Sequence, residues 1–351
     1  MNPTAHFERN DLRSKRKTRL SHITALLMAW TSGQILAQSL VSVSAPIGDR
    51  CVELNQTVMT QIANGKLKEA ELALSAFLTS GADRGREACA GLVLNNMAAL
   101  MSISGRLGDG SRLAEQSVQA LEKVYPPDDP ALFRPLQILA VNSFEQGMMG
   151  KARGAFKRMQ SIRIQRPEDR ALLHGMAAAL SEAEGRLPEA EADYLAALAA
   201  WQEAGSGEGA DASAVLCGIG SLYIKEHRLI EARQALDRAL AILGSAKDAV
   251  SMDRIKLLHL RAVLKAWEGD WQGAEQGFRD ALAMADREPW VDPFALRVLL
   301  NGYAEVLRRN RHGREARTIA SRAAAIQVDR TSAAIVDITE LLRKAKPSHK
   351  P

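Results

Sequence analysis

Cysteine is scarce, with only Cys51, Cys89 and Cys217 in 351 residues. Three thiols cannot build a disulfide-dense scaffold or a four-cysteine zinc site. Aromatic residues make up 5% of the chain, too few for the large aromatic cores of β-sandwiches. No run alternates apolar and polar residues for long enough to read as a strand. Catalytic signatures are missing as well: there is no His-Glu-x-x-His, Gly-x-Ser-x-Gly or glycine-rich phosphate loop, and no carboxylate pair at helical spacing. Among the histidines, His6 and His22 fall in the opening segment, His227 and His312 in turns, and His349 in a polar tail. The expectation is a protein with no catalytic residues, no metal, no cofactor and no small-molecule substrate. With 46% hydrophobic and 25% charged residues, the composition is that of a folded chain.

Charge is uneven. Residues 1–22 carry six basic groups (Arg9, Arg13, Lys15, Arg16, Lys17 and Arg19) against Glu8 and Asp11, and no charged residue occurs from Ile23 to Gly48. Residues 46–351 retain 40 basic against 39 acidic groups. A body so nearly neutral excludes broad electrostatic binding to nucleic acid.

The basic opening, the apolar run Ile23–Trp30 and the small residues after it have the layout of a secretory signal peptide, with cleavage expected after Ala37. The protein is therefore expected in the periplasm or outside the cell. The competing reading is an inner-membrane anchor, because 23 residues from Ile23 to Ala45 are long enough to span a bilayer, although nine of them are glycine or polar. Membrane contact follows only if this segment, residues 1–45, is retained.

One pattern then recurs. Gly65-Lys-Leu-Lys-Glu-Ala70, Gly105-Arg-Leu-Gly-Asp-Gly110, Gly147-Met-Met-Gly-Lys-Ala152 and Gly185-Arg-Leu-Pro-Glu-Ala190 are followed by His227-Arg-Leu-Ile-Glu-Ala232, Gly269-Asp-Trp-Gln-Gly-Ala274 and Arg311-His-Gly-Arg-Glu-Ala316. The starting positions differ by 40, 42, 38, 42, 42 and 42 residues, so residues 46–330 form a repeat array. Seven residues before each start stand Val58, Ala98, Ala140, Ala178, Gly220, Ala262 and Ala304; five after it stand Ala70, Gly110, Ala152, Ala190, Ala232, Ala274 and Ala316. Small residues at matched points let two antiparallel helices approach closely, and Leu74, Phe156, Tyr194, Leu236 and Phe278 fill the space between them. Residues 91–101 and 232–243 carry helical periodicity, Ala204–Ala210 reads as a longer loop, and Pro135 requires a helix that begins close to it. Glu182, Glu184, Glu189 and Glu191 surround a turn and read as solvated.

Leu94–Leu107, followed by Tyr125–Pro130, and Leu216–Ala232 closely resemble the tetratricopeptide repeat family, in particular the forty-two residue variety of kinesin light chains. The resemblance implies an all-α, right-handed superhelical solenoid of about seven helix-turn-helix repeats, whose first helices line a concave groove for a peptide or partner helix. HEAT-type repeats share the period, but the glycine-turn-alanine pattern disfavours them. Val58, Gly110 and Ser117 depart from the family pattern and predict a distorted first pair of repeats.

In that register the groove positions are Asn95, Gln137, Gly175, Cys217, His259 and Asn301. Asn95, Gln137 and Asn301 can hydrogen-bond an extended backbone; solvated polar residues are the alternative. The last repeat is strongly basic. Arg308, Arg309, Arg311, Arg314 and Arg317 suit an acidic partner or an anionic surface, or a solvated terminal face. Cys51 and Cys89 fall near the starts of adjacent first helices, where they either pair or stay buried thiols; Cys217 has a packing role. Apolar residues in 331–344 predict a helix capping the array, ahead of a polar tail at 345–351. The expected function is a non-enzymatic adaptor for a protein or peptide partner in the bacterial cell envelope. The alternative is a self-assembling or membrane-tethered structural component.

Overall fold

The computed structural model describes residues 49–64, 66–80, 87–104, 106–245, 251–288, 291 and 293–327. The leader and the expected cap at 331–344 lie outside them. The described residues form fourteen α-helices in seven pairs and contain no strand. The pairs are α1 (Asp49–Ala63) with α2 (Leu67–Thr79), α3 (Glu87–Ile103) with α4 (Leu107–Leu121), α5 (Phe133–Glu145) with α6 (Met149–Gln160), and α7 (Pro167–Ala183) with α8 (Leu187–Glu203). They continue as α9 (Ala210–Lys225) with α10 (Leu229–Ser245), α11 (Ser251–Trp267) with α12 (Trp271–Ala285), and α13 (Pro293–Arg309) with α14 (Gly313–Ala325). No described helix is long and apolar enough to cross a membrane.

The recurring turn has one mechanism. Gly147, Gly185 and Gly269 take φ of 72°, 77° and 85°, and His227 and Arg311 occupy the same left-handed region at 61° and 66°. The next residue donates its N–H back over the helix end: Met148 to Ser143 O (2.8 Å), Arg186 to Ser181 O (2.9 Å), Arg228 to Tyr223 O (2.9 Å), Asp270 to Lys265 O (2.9 Å) and His312 to Leu307 O (2.8 Å). That bond closes a helix C-terminus around a left-handed residue. The carbonyl of the same residue then accepts the N–H of Ala152, Ala190, Ala232, Ala274 or Ala316 at 2.9–3.0 Å, opening the second helix. One residue ends a helix and starts the next, which explains the fixed five-residue step from glycine to alanine.

Packing follows the small residues. Ala70, Ala152, Ala190, Ala232, Ala274, Ala98, Ala140 and Ala178 are fully buried. Leu74, Leu236, Phe278 and Tyr194 are buried beside them, whereas Phe156 is only half-buried and Met159 fills the corresponding core. At Gly220 a Cβ would lie 2.6 Å from a methyl of Leu236, so the larger neighbour requires the glycine. The residues that depart from the family pattern each have a local packing or hydrogen-bond role. A Cβ at Gly110 would meet Asn142 Nδ2 at 2.6 Å, and that nitrogen donates to Ser102 Oγ at 2.8 Å. Ser117 Oγ donates to Gly91 O at 2.6 Å, and Val58 is buried in the core of the first repeat.

The chain divides into two compact units between Leu173 and His174, inside α7. In the first, α2 packs against α1 and α3, α4 against α3 and α5, and α3 also touches α1 and α5. Cys51 of α1 and Cys89 of α3 form a disulfide within this core, with Cα atoms 6.0 Å apart. In the second, α10 packs against α9 and α11, α12 against α11 and α13, and α11 also touches α9 and α13. Pro135 sits in the first turn of α5, where its missing N–H removes no helical bond.

Candidate functional site

The first unit holds a partly open cleft of about 150 Å³. Ala88, Leu92 and Asn95 of α3, Leu121 at the end of α4, residues Pro130, Ala131, Phe133, Arg134 and Pro135, and Gln165, Arg166 and Asp169 at the start of α7 line it. The repeat positions these groups together. Asp129 accepts the Ala131 N–H at 2.9 Å, which sets a 3₁₀ turn over Pro130–Leu132 and brings the first turn of α5 to the cleft.

Asn95 is 3% exposed. Its Nδ2 donates to Asn96 Oδ1 at 3.3 Å, and Asn96 Nδ2 donates to Asn55 Oδ1 on α1. The three buried amides make a chain with two open ends, because Asn95 Oδ1 and Asn55 Nδ2 have no hydrogen-bond partner among the described residues. Buried polar groups are ordinarily satisfied, and leaving one unmade costs about 1–3 kcal/mol. Across the cleft, Arg134 donates from Nη1 to Gln137 Oε1 at 3.1 Å and from Nη2 to Asp169 Oδ1 at 2.9 Å. Burial pushes the Asp169 carboxyl above its usual range, opposed by the charges of Arg134 and Arg166.

The sequence register thus finds Asn95 at the cleft; Asn95, Gln137, Cys217 and His259 are all buried and Asn301 is half-buried, so the alternative of solvated side chains fails at the first four. Gln137 is already held by Arg134. Asn95 and Gln137 belong to the first unit, and Cys217, His259 and Asn301 to the second. Cys217 is a free thiol that burial pushes up to about 12. Burial likewise pushes the His259 imidazole down to about 4, and its Nε2 has no partner among the described residues. Asp253, pushed up to about 7 by burial, stands three residues before the buried Lys256 and was not singled out from sequence. The spacing 253, 256, 259 puts the three residues on one face of α11 without showing that this face is buried. Asn55, ten residues before the first turn as Asn95 is before the second, was an available signal.

Glu182 is a second correction. It is buried rather than solvated, ion-paired with Lys225 of α9 and bonded by Tyr194 Oη at 3.0 Å. Glu191 accepts from Tyr223 Oη at 2.7 Å and Arg228 Nη1 at 2.9 Å. At the basic end, Arg308, Arg311, Arg314 and Arg317 are exposed. Arg308 pairs with Glu305 at 2.9 Å, and Arg309 lies over the Trp271 ring at 5.3 Å.

Paired helices, a left-handed turn and a buried alanine on each side define a helical-repeat protein. Residues 168–245 match the tetratricopeptide repeat family model, and the helix pairs on either side repeat the same turn and alanine register. Among solved structures, the chain is similar to a Rap protein complexed with competence and sporulation factor, at 15% identity over 86% of this chain and 79% of that one, with a TM-score of 0.59. It is also similar to a tetratricopeptide repeat protein from Parabacteroides merdae, at 14% identity over 84% and 100% of the two chains, with a TM-score of 0.49. No curated relative matches.

Proposed function

We propose that this protein is a non-catalytic interaction scaffold of the bacterial cell envelope, binding an extended segment of a partner protein along the first helices of its repeats. One observation carries the reading: the amide chain Asn55–Asn96–Asn95 leaves one donor and one acceptor open, at its opposite ends. A peptide main chain offers the two complementary groups at every residue, so amides can hold it without selecting side chains. The similarity to a Rap protein whose structure contains competence and sporulation factor supports a binding role for such a fold. Export by the leader, with cleavage after Ala37, fits the pairing of Cys51 with Cys89, because disulfides persist in oxidising compartments. The arginine-rich end supplies a second contact for an acidic partner.

The test is crosslinked capture from the cell envelope with the tagged full chain beside an Asn55→Ala, Asn95→Ala variant whose melting curve shows that it is folded. A protein recovered by the parent and lost from the variant supports groove binding. Recovery of the same set by both overturns it, and recovery of the bait alone favours self-assembly. The mass of the mature chain tests cleavage after Ala37.

A further inference from the structure

We propose that the cleft between α3 and the first turns of α5 and α7 is an anchor pocket for one uncharged, apolar side chain of the bound segment, of leucine to phenylalanine size. The adjoining main-chain N–H of that segment donates to Asn95 Oδ1. The inference rests on the groove-binding reading and adds its side-chain chemistry.

Three observations set the occupant. Size comes first, because a cavity of about 150 Å³ is the volume that takes a benzene ring. Polarity comes second: Ala88, Leu92, Leu121, Pro130, Ala131, Phe133 and Pro135 give the cleft apolar walls. Its charges cancel locally, since Arg134 is paired with Asp169 at 2.9 Å and Arg166 lies 3.5 Å from Glu168. A charged side chain would lose its hydration there without gaining an uncompensated counter-charge. The third is direction. Asn95 lines the cleft, is 3% exposed and offers an acceptor that no described residue uses, so the occupant must bring a donor. A backbone N–H next to an apolar side chain supplies both parts.

The probes are N-acetyl-leucine N-methylamide and N-acetyl-phenylalanine N-methylamide, with the lysine analogue as control, followed by saturation-transfer NMR on the full chain. The leucine and phenylalanine probes should bind at millimolar concentration and the lysine probe should not. Ala131→Trp, which fills the cleft from a half-buried position and leaves Asn95 in place, should abolish the signal. Asn95→Leu should weaken binding about tenfold, the value of one ordinary hydrogen bond. Equal binding of the lysine probe, absence of binding by the parent, or undiminished binding in folded Ala131→Trp would overturn the pocket. The capture experiment separates this from the parent reading. A partner lost from the Asn55→Ala, Asn95→Ala variant yet kept by Ala131→Trp removes the anchor and leaves groove binding intact. A partner kept by both removes groove binding, while the probes still decide the pocket.

Discussion

Arg311 holds its backbone at φ 66° where Gly147, Gly185 and Gly269 do the same work without a side chain. A non-glycine residue in that region costs about 1–2 kcal/mol, partly offset by the greater freedom glycine has when unfolded. Arg311→Gly should therefore raise the melting temperature, by the equivalent of up to about 1 kcal/mol, and Gly269→Ala should lower it. The opposite order in thermal unfolding would mean that the exposed arginine makes a compensating contact. The positions of these turns were legible in the sequence, because glycine is the usual answer to left-handed backbone. Burial of Asp253 and His259 was not legible, since a polar residue on a helix does not announce which face it occupies. The two have opposite consequences for stability. Asp253 keeps its proton up to about 7 in the fold against 3.8 when free, so the folded chain holds the extra proton and this contribution falls as pH rises through that window. His259 is neutral down to about 4 in the fold against 6.5 when free, so its contribution rises with pH between those values. Relative to the parent, Asp253→Asn should make the pH slope of stability more positive across pH 4 to 6.5, and His259→Gln should make it less positive. Denaturant unfolding across that range reads both slopes, and changes from the parent slope of the same sign in the two variants would contradict the assignment.

At the scale of helices, the alanine register was the most informative part of the sequence. It predicted Ala232 and Ala274 as contact points, and both are fully buried. Ala232→Leu or Ala274→Leu should overpack its helix pair and cost about 1–3 kcal/mol; an unchanged melting curve would show that the helices can separate freely. Pro167 and Pro293 open helices and Pro135 lies in a first turn, positions where a missing N–H removes no helical bond. The sequence could not show that Glu182 would meet Lys225, 43 residues later, since their approach depends on how α7, α8 and α9 pack. The choice between paired and separate Cys51 and Cys89 was likewise a matter of packing. Their bond closes a loop with a separation of 38 residues, so Cys51→Ser with Cys89→Ser should cost about 2–4 kcal/mol. Dithiothreitol should lower the melting temperature of the parent toward that of the double variant and leave the variant unchanged; equal parent melting with and without reductant would argue against the bond in solution.

On the scale of the whole molecule, a repeat array needs its ends covered, because each repeat buries its apolar face only against a neighbour. Ile319 of α14 and Ile326 just after it are half-buried. The expectation of a cap in residues 331–344 rests on their apolar pattern, and deletion tests it. Deleting 331–351 should reduce solubility in sedimentation and sizing measurements, and unchanged behaviour would remove the cap. By itself the sequence determined the period, the turn, the helix pairs and the all-α class, because each is set by local steric rules repeated at fixed spacing. The tertiary structure alone decided which polar groups lost their water and which side chains from distant repeats met. It formed the cleft beside Asn95, paired Arg134 with Asp169 and Cys51 with Cys89, and left two amide groups open, because these outcomes depend on distances between helices that the chain itself does not specify.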